Sequence, residues 1–218
     1  MRSTIRRYGI LRGLYQSALL IGLVALPQAA IAKTILAFGD SLTAGYQLRP
    51  GEGFAPQLEA ALKAKGHAVT VIPAGVSGDT TAQGKARVNW VLAGAKSKPD
   101  LVILELGAND MLRGQSPVTA KANLEATIKA FKAKGIRVIL AGMLAQPNLG
   151  AAYAREFNAI YPALAKSQGI ALYPFFMDGV AAVPGMQLAD GLHPTPAGVK
   201  VIVKRILPTV ERELARTR

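Results

Sequence analysis

Five short apolar runs, each stopped by a glycine or a proline, constrain this sequence more than any other feature. They span residues 33–38, 67–72, 100–106, 136–141 and 170–173, and stop at Gly39, Pro73, Gly107, Gly142 and Pro174. Such short, near-continuous apolar runs fit strands buried on both faces of a parallel sheet. Helical periodicity fills the intervals. Phe54, Leu58, Ala61 and Leu62 share one face, and so do Leu124, Ile128 and Phe131. Tyr153, Phe157, Ile160, Tyr161 and Leu164 mark another helix, and Val199, Ile202, Ile206, Val210 and Leu214 the last, with a kink expected at Pro208. Thr80 and Gln83 have the spacing of a capping box, opening a helix to about Leu92. Strand and helix alternate throughout, which predicts an α/β fold: a three-layer α/β/α sandwich around a central five-stranded parallel sheet.

The chain has 218 residues, enough for one domain, and half of them are hydrophobic, which excludes wholesale disorder. Residues 1–32 read differently from the rest. They hold Arg2, Arg6, Arg7 and Arg12 and no acid, then an apolar run from Ala18 to Leu26, then Ala30-Ile31-Ala32. That is the pattern of a secretory signal peptide cleaved after Ala32. It leaves residues 33–218 as a single domain, periplasmic or secreted. The run is short for a membrane-spanning anchor, which is the competing reading. The net charge is +13, from 26 basic and 13 acidic residues. Four of those arginines lie in the leader, so its removal leaves 22 basic residues against 13 acidic ones, a net +9. The remaining cations are scattered over helix ends, with no interleaved aromatics, so no nucleic-acid partner is expected and at most a weak association with membrane surfaces. The domain is expected to act as a monomer.

Absences narrow the chemistry further. There is no Cys, which removes disulfides, thiolate zinc sites and cysteine nucleophiles. The two histidines are His67 and His193, so a multi-histidine metal site is excluded and no metal is expected. The segment from Gly78 to Lys85 has one residue too many for a phosphate loop, and Ala86 stands where Ser or Thr is needed. With no dinucleotide motif after a strand either, no cofactor is expected, and side chains must carry the reaction.

In a parallel sheet, ligands bind at the C-terminal ends of the strands. Gly39-Asp40-Ser41-Leu42 follows the first run, Gly75 to Asp79 the second, and Gly107-Ala108-Asn109-Asp110 the third; Asp190 and His193 precede the last helix. Together these groups hold what acyl transfer needs. Ser41 supplies a hydroxyl and His193 a base. Asp190, three residues earlier, can reach the other ring nitrogen. Gly78 offers an unobstructed N–H and Asn109 an amide to a developing oxyanion.

These four strings, in this order, resemble the four blocks of the GDSL, or SGNH, hydrolase family, from about residue 33 to the C-terminus. The run from Glu105 to Gly114, with Asn158 to Pro162 and Pro174 to Met177, is similar to the periplasmic multifunctional thioesterase I/lysophospholipase group and the related bacterial arylesterases. The resemblance implies a flavodoxin-like fold and a serine esterase acting on small acyl esters or thioesters. It also implies that Ser41 is the nucleophile, that Asp190 and His193 complete a triad, and that the Ser41 N–H joins Gly78 and Asn109 in the oxyanion hole.

Other residues compete for these roles. Ser77 is a second hydroxyl near a strand end, but Asp79 breaks the nucleophile-elbow pattern. His67 opens a strand and is expected at the far edge of the sheet. Asp40 is expected to fix the Ser41 turn, and Asp79 to help cap the helix after it. Glu105, a carboxylate inside an apolar strand, needs a partner that the sequence does not name. The apolar loop 142–150, with Leu144, Pro147 and Leu149, is the expected substrate-binding wall, and residues 47–50 a second. The same apparatus would serve a deacetylase or acyltransferase acting on envelope carbohydrate. A non-catalytic flavodoxin-like binding protein is the alternative of another class, and it would not need a Ser, a His and an Asp brought together.

Overall fold

The computed structural model describes residues 32–216. The expected leader lies outside the described residues, apart from Ala32. Five strands, β1 (Lys33–Gly39), β2 (Val69–Gly75), β3 (Leu101–Glu105), β4 (Arg137–Ala141) and β5 (Ala171–Tyr173), form one all-parallel sheet in the order β2-β1-β3-β4-β5. Among the described residues, eight helices surround it: α1 (Ser41–Ala44), α2 (Phe54–Ala64), α3 (Thr81–Gly94), α4 (Ala108–Leu112), α5 (Pro117–Ala133), α6 (Ala151–Asn158), α7 (Ile160–Gln168) and α8 (Pro196–Ala215). A short 3₁₀ turn covers Pro147–Leu149. Helix α2 packs against α8, while α3 packs against α5 and α5 against α7. The architecture is the predicted α/β sandwich. Leu101 to Glu105 are buried without interruption, as the central position of β3 demands.

The element bounds depart from the expected ones for local reasons. Strand β2 begins at Val69 rather than 67 and runs on through Pro73 to Gly75. It lies at the sheet edge, where a residue without an N–H costs no ladder bond on the open side. The single helix expected over residues 153–164 is two, α6 and α7, joined at Ala159. Pro162 has no N–H to return to the Asn158 carbonyl, and it sits in the first turn of α7, where that loss is tolerated. Helix α8 continues through Pro208 to Ala215. Among the described residues, no helix is long and apolar enough to cross a membrane.

The chain leaves β1 for β2 on one side and returns past β1 to β3 on the other. That reversal opens a crevice beyond the carboxyl ends of β1 and β3, the expected place for a ligand.

Candidate active site

The first turn beyond β1 is tightly held. Gly39 has no room for a side chain: a Cβ would lie 2.2 Å from Thr43 Oγ1 and 2.5 Å from the Glu105 carbonyl. Gly75 at the end of β2 is as close-fitting, with Ala44 N 2.3 Å from where its Cβ would be. Asp40, fully buried, caps α1 by accepting from Leu42 N at 3.0 Å. Ser41 is therefore presented at the start of α1 on a turn that glycine alone allows to close.

His193 reaches Ser41 across 152 positions of sequence, its Nε2 2.8 Å from Oγ. Its Nδ1 lies 2.6 Å from Asp190 Oδ2. With Nδ1–H donating to the carboxylate, Nε2 is left to accept from the serine hydroxyl. The loop that carries both residues is pinned from within. Asp190 Oδ1 accepts from Leu192 N at 2.8 Å and His193 N at 3.0 Å, Leu188 N donates to the His193 carbonyl at 2.8 Å, and Gln187 bridges to Pro194. Desolvation pushes the Asp190 carboxyl up, but the backbone N–H groups of His193 and Leu192 and the His193 ring outweigh it and hold the group down at about 2. Tyr46 lies against the imidazole, ring centroids 4.4 Å apart.

Asn109, in the first turn of α4, points its amide into the same corner. Nδ2 donates to Asp40 Oδ2 and to the Asp79 carbonyl, each at 3.1 Å. Gly78 adopts φ +88, a left-handed conformation that a side chain would strain, and its carbonyl accepts from Arg113 at 2.9 Å. Ser41, Gly78, Asn109 and His193 all line one cavity of about 730 Å³. Its walls are apolar, with Met111, Met143, Phe175 and Met177 prominent. Among the described residues, no group of three acidic or histidine side chains is placed to hold a metal.

Other expected positions fall differently. Leu144 and Pro147 line the cavity, but Leu149, the last residue of the 3₁₀ turn, does not: partly buried, it packs against the hydrophobic core. Residues 47–50 do not line the cavity either, and Leu48 packs against the core; Tyr46 forms that wall instead. Asp79 does not cap α3, since Thr80 and Gln83 form the cap; Asp79 binds Arg87 Nε at 2.6 Å. His67 lies just before β2 and pairs with Glu211 at 3.1 Å, away from the cavity. Ser77 lines the cavity, while Ser41 holds the bond to the base. Met143, within the expected 142–150 wall, does line the cavity; sequence reasoning missed Tyr46, Met111 and Phe175, which meet there from separate elements and carry no pattern of their own.

A parallel sheet with a Ser–His–Asp chain at its reversal point defines a class, α/β enzymes equipped for acyl transfer. The family can be stated as well: residues 37–201 match the GDSL-like Lipase/Acylhydrolase family, and the chain belongs to it. It is 39% identical over 191 residues to Esterase TesA of Pseudomonas aeruginosa, covering 88% of this chain and 94% of that one. It is 42% identical over 165 residues to an Arylesterase of Vibrio mimicus, covering 76% and 82%. It is 35% identical over 190 residues to Thioesterase 1/protease 1/lysophospholipase L1 of Escherichia coli K12, covering 85% and 89%. The crystal structure of AlinE4, an SGNH-hydrolase family esterase, superposes with a TM-score of 0.73 at 45% identity, covering 87% of this chain and all of that one. The chain is an ester-hydrolysing enzyme.

Proposed function

We infer that this chain is an exported serine esterase that hydrolyses carboxylic esters and thioesters through an acyl-enzyme. The observation that carries the reading is the unbroken line from Ser41 Oγ through His193 to Asp190, at the mouth of an apolar cavity. His193 Nε2 takes the Ser41 proton as Oγ attacks the acyl carbon. Asp190 stabilises the imidazolium that forms. The N–H groups of Ser41 and Gly78 and the amide of Asn109 receive the oxyanion, which the Asn109 amide does by sharing one of the hydrogens it otherwise directs to Asp40 and Asp79. The imidazolium protonates the departing alcohol or thiol, and a water activated by the same base releases the acid. The acyl chain lies among Met111, Met143, Leu144 and Pro147, a flexible apolar wall suited to chains of several shapes. The names of the relatives, which include an arylesterase and a thioesterase, support a small-molecule ester or thioester as substrate. Export follows from the leader pattern of residues 1–32.

A fluorophosphonate should label Ser41 stoichiometrically, and Ser41→Ala should remove both labelling and turnover while leaving the thermal melt unchanged. Retained turnover in that variant excludes Ser41 as nucleophile. A panel of p-nitrophenyl esters of rising chain length, run beside an acyl thioester and a lysophospholipid, then ranks the substrates.

A further inference from the structure

Beneath the nucleophile turn lie two carboxyl groups that the reaction described above does not use. Asp40 and Glu105 are both fully buried and adjacent: the Asp40 backbone N–H donates to Glu105 Oε2 at 3.3 Å, and the two side chains lie within reach of each other. Among the described residues, neither forms an ion pair with a Lys or Arg; the nearby Arg87 guanidinium is directed at Asp79 and at the Ala74 and Gly39 carbonyls. The His193 ring also faces Asp40, but two carboxylates in contact with no Lys or Arg paired to either in a dry site cannot both stay ionised, so the pair must hold a proton. The distribution of donors says where. Each oxygen of Asp40 receives one: Leu42 N at Oδ1 and Asn109 Nδ2 at Oδ2. Glu105 receives Thr43 Oγ1 and Asp40 N, both at Oε2, while Oε1 is buried with no donor. Charge belongs on the oxygens that collect N–H donors, and the proton on the group whose second oxygen has none.

We propose that Glu105 is a positioning residue of this esterase: as the neutral acid it donates its proton to Asp40, and the Asp40 carboxylate, anchored in this way, aims the Asn109 amide and holds the Ser41 turn. The proposal rests on the reading of Ser41 and Asn109 given above. Burial pushes the Glu105 carboxyl well above the ordinary carboxylate range, with the Asp40 charge adding to it, in keeping with this assignment. Glu105 never touches substrate. It acts through Asp40 on an oxyanion donor, so its loss should appear in kcat and not in KM.

Infrared spectroscopy of the intact protein at pH 8 tests the proton directly. A neutral carboxylic acid band should persist at that pH and vanish in Glu105→Gln; its absence from the unsubstituted protein overturns the proposal. Kinetics test the positioning. Glu105→Gln, which keeps a donor of the same shape, should stay within about threefold of the parent kcat, while Glu105→Leu should lose at least about tenfold with KM nearly constant, less than the 10²–10³ of removing an oxyanion donor outright. In an Asn109→Ala background the Leu substitution should cost less than about threefold, since the group it aims is gone. Equal losses in both backgrounds, or a Gln variant as slow as the Leu one, would overturn the assignment. Should Glu105→Leu not fold, the band and the Gln variant still decide. Failure of Ser41 to label with fluorophosphonate would sink the esterase reading instead and leave the carboxyl band untouched.

Discussion

In the proposed reaction Asp190 acts by staying charged. Its folded-state pKa, near 2, is depressed below the unfolded value of 3.8, so its favourable contribution is complete above that unfolded value and is lost only as pH falls toward 2. It should therefore add no step of its own to kcat/KM between pH 5 and 9, and a pH profile of the parent enzyme checks this. Asp190→Asn should lose on the order of 10⁴ in kcat at every pH, the usual loss when an amide replaces the triad carboxylate. Asn109→Ala should cost about 10²–10³ in kcat, or roughly 3–4 kcal/mol, with KM little changed. Glu105 carries the opposite sign. Its folded-state pKa is raised, so folding takes up a proton wherever the unfolded group is ionised. Relative to Glu105→Gln, the parent should lose stability as pH rises above the ordinary carboxylate range, by at most about 1.4 kcal/mol per pH unit, read from urea melts. Ser41, Gly78, Asn109, Asp190 and His193 could be located in the sequence because each stands in a short string whose neighbours are also informative. Tyr46 could not: only the closed loop after α1 brings its ring onto His193. Glu105 was visible as an anomaly, but its partner Asp40 is 65 positions away and becomes a neighbour only through the β1–β3 pairing.

Secondary structure here follows the apolar periods closely and fails where a single atom decides. All five strands lie within the apolar runs or overlap them, because strands buried on both faces leave few other choices. The break between α6 and α7 hangs on one missing N–H, at Pro162, within an otherwise continuous apolar stripe. The very short helices α1 and α4 have no periodicity to read; they exist because glycine turns at the ends of β1 and β3 start them. The most consequential contact between elements is that of α1 with the end of β2. Gly75→Ala would place a methyl group against the Ala44 and Asp40 backbone, which no rotamer can relieve. It should destabilise the fold by about 1–3 kcal/mol, the usual cost of overpacking, and lower kcat by shifting Ser41. A thermal melt together with an activity assay checks both effects; an active variant of unchanged stability would mean that α1 can ride away from the sheet.

At the scale of the molecule, the first strand starts at the residue where cleavage of the proposed leader would leave the chain. Lys33 opens β1: its backbone N–H donates to the Ala68 carbonyl at 2.9 Å, and its side chain bonds the Leu214 carbonyl near the end of α8. A chain starting at Lys33 should accordingly keep the thermal stability and kcat/KM of the full chain, and N-terminal sequencing of exported protein should begin at Lys33. Loss of folding on this truncation would make residues 1–32 part of the domain. The strand order was foreseeable only as a class, since alternating strands and helices predict a parallel sheet without saying which strand sits at its edge. The link from Ser41 to His193 also spans nearly the whole domain. During synthesis the hydroxyl is made long before its base, and the base arrives with the loop just ahead of the terminal helix. On the reaction proposed above, a chain still growing carries Ser41 without the base that is to deprotonate it. The proposed esterase would thus be latent during its own synthesis, acquiring activity only when the loop that carries His193 and Asp190 has been added and seated.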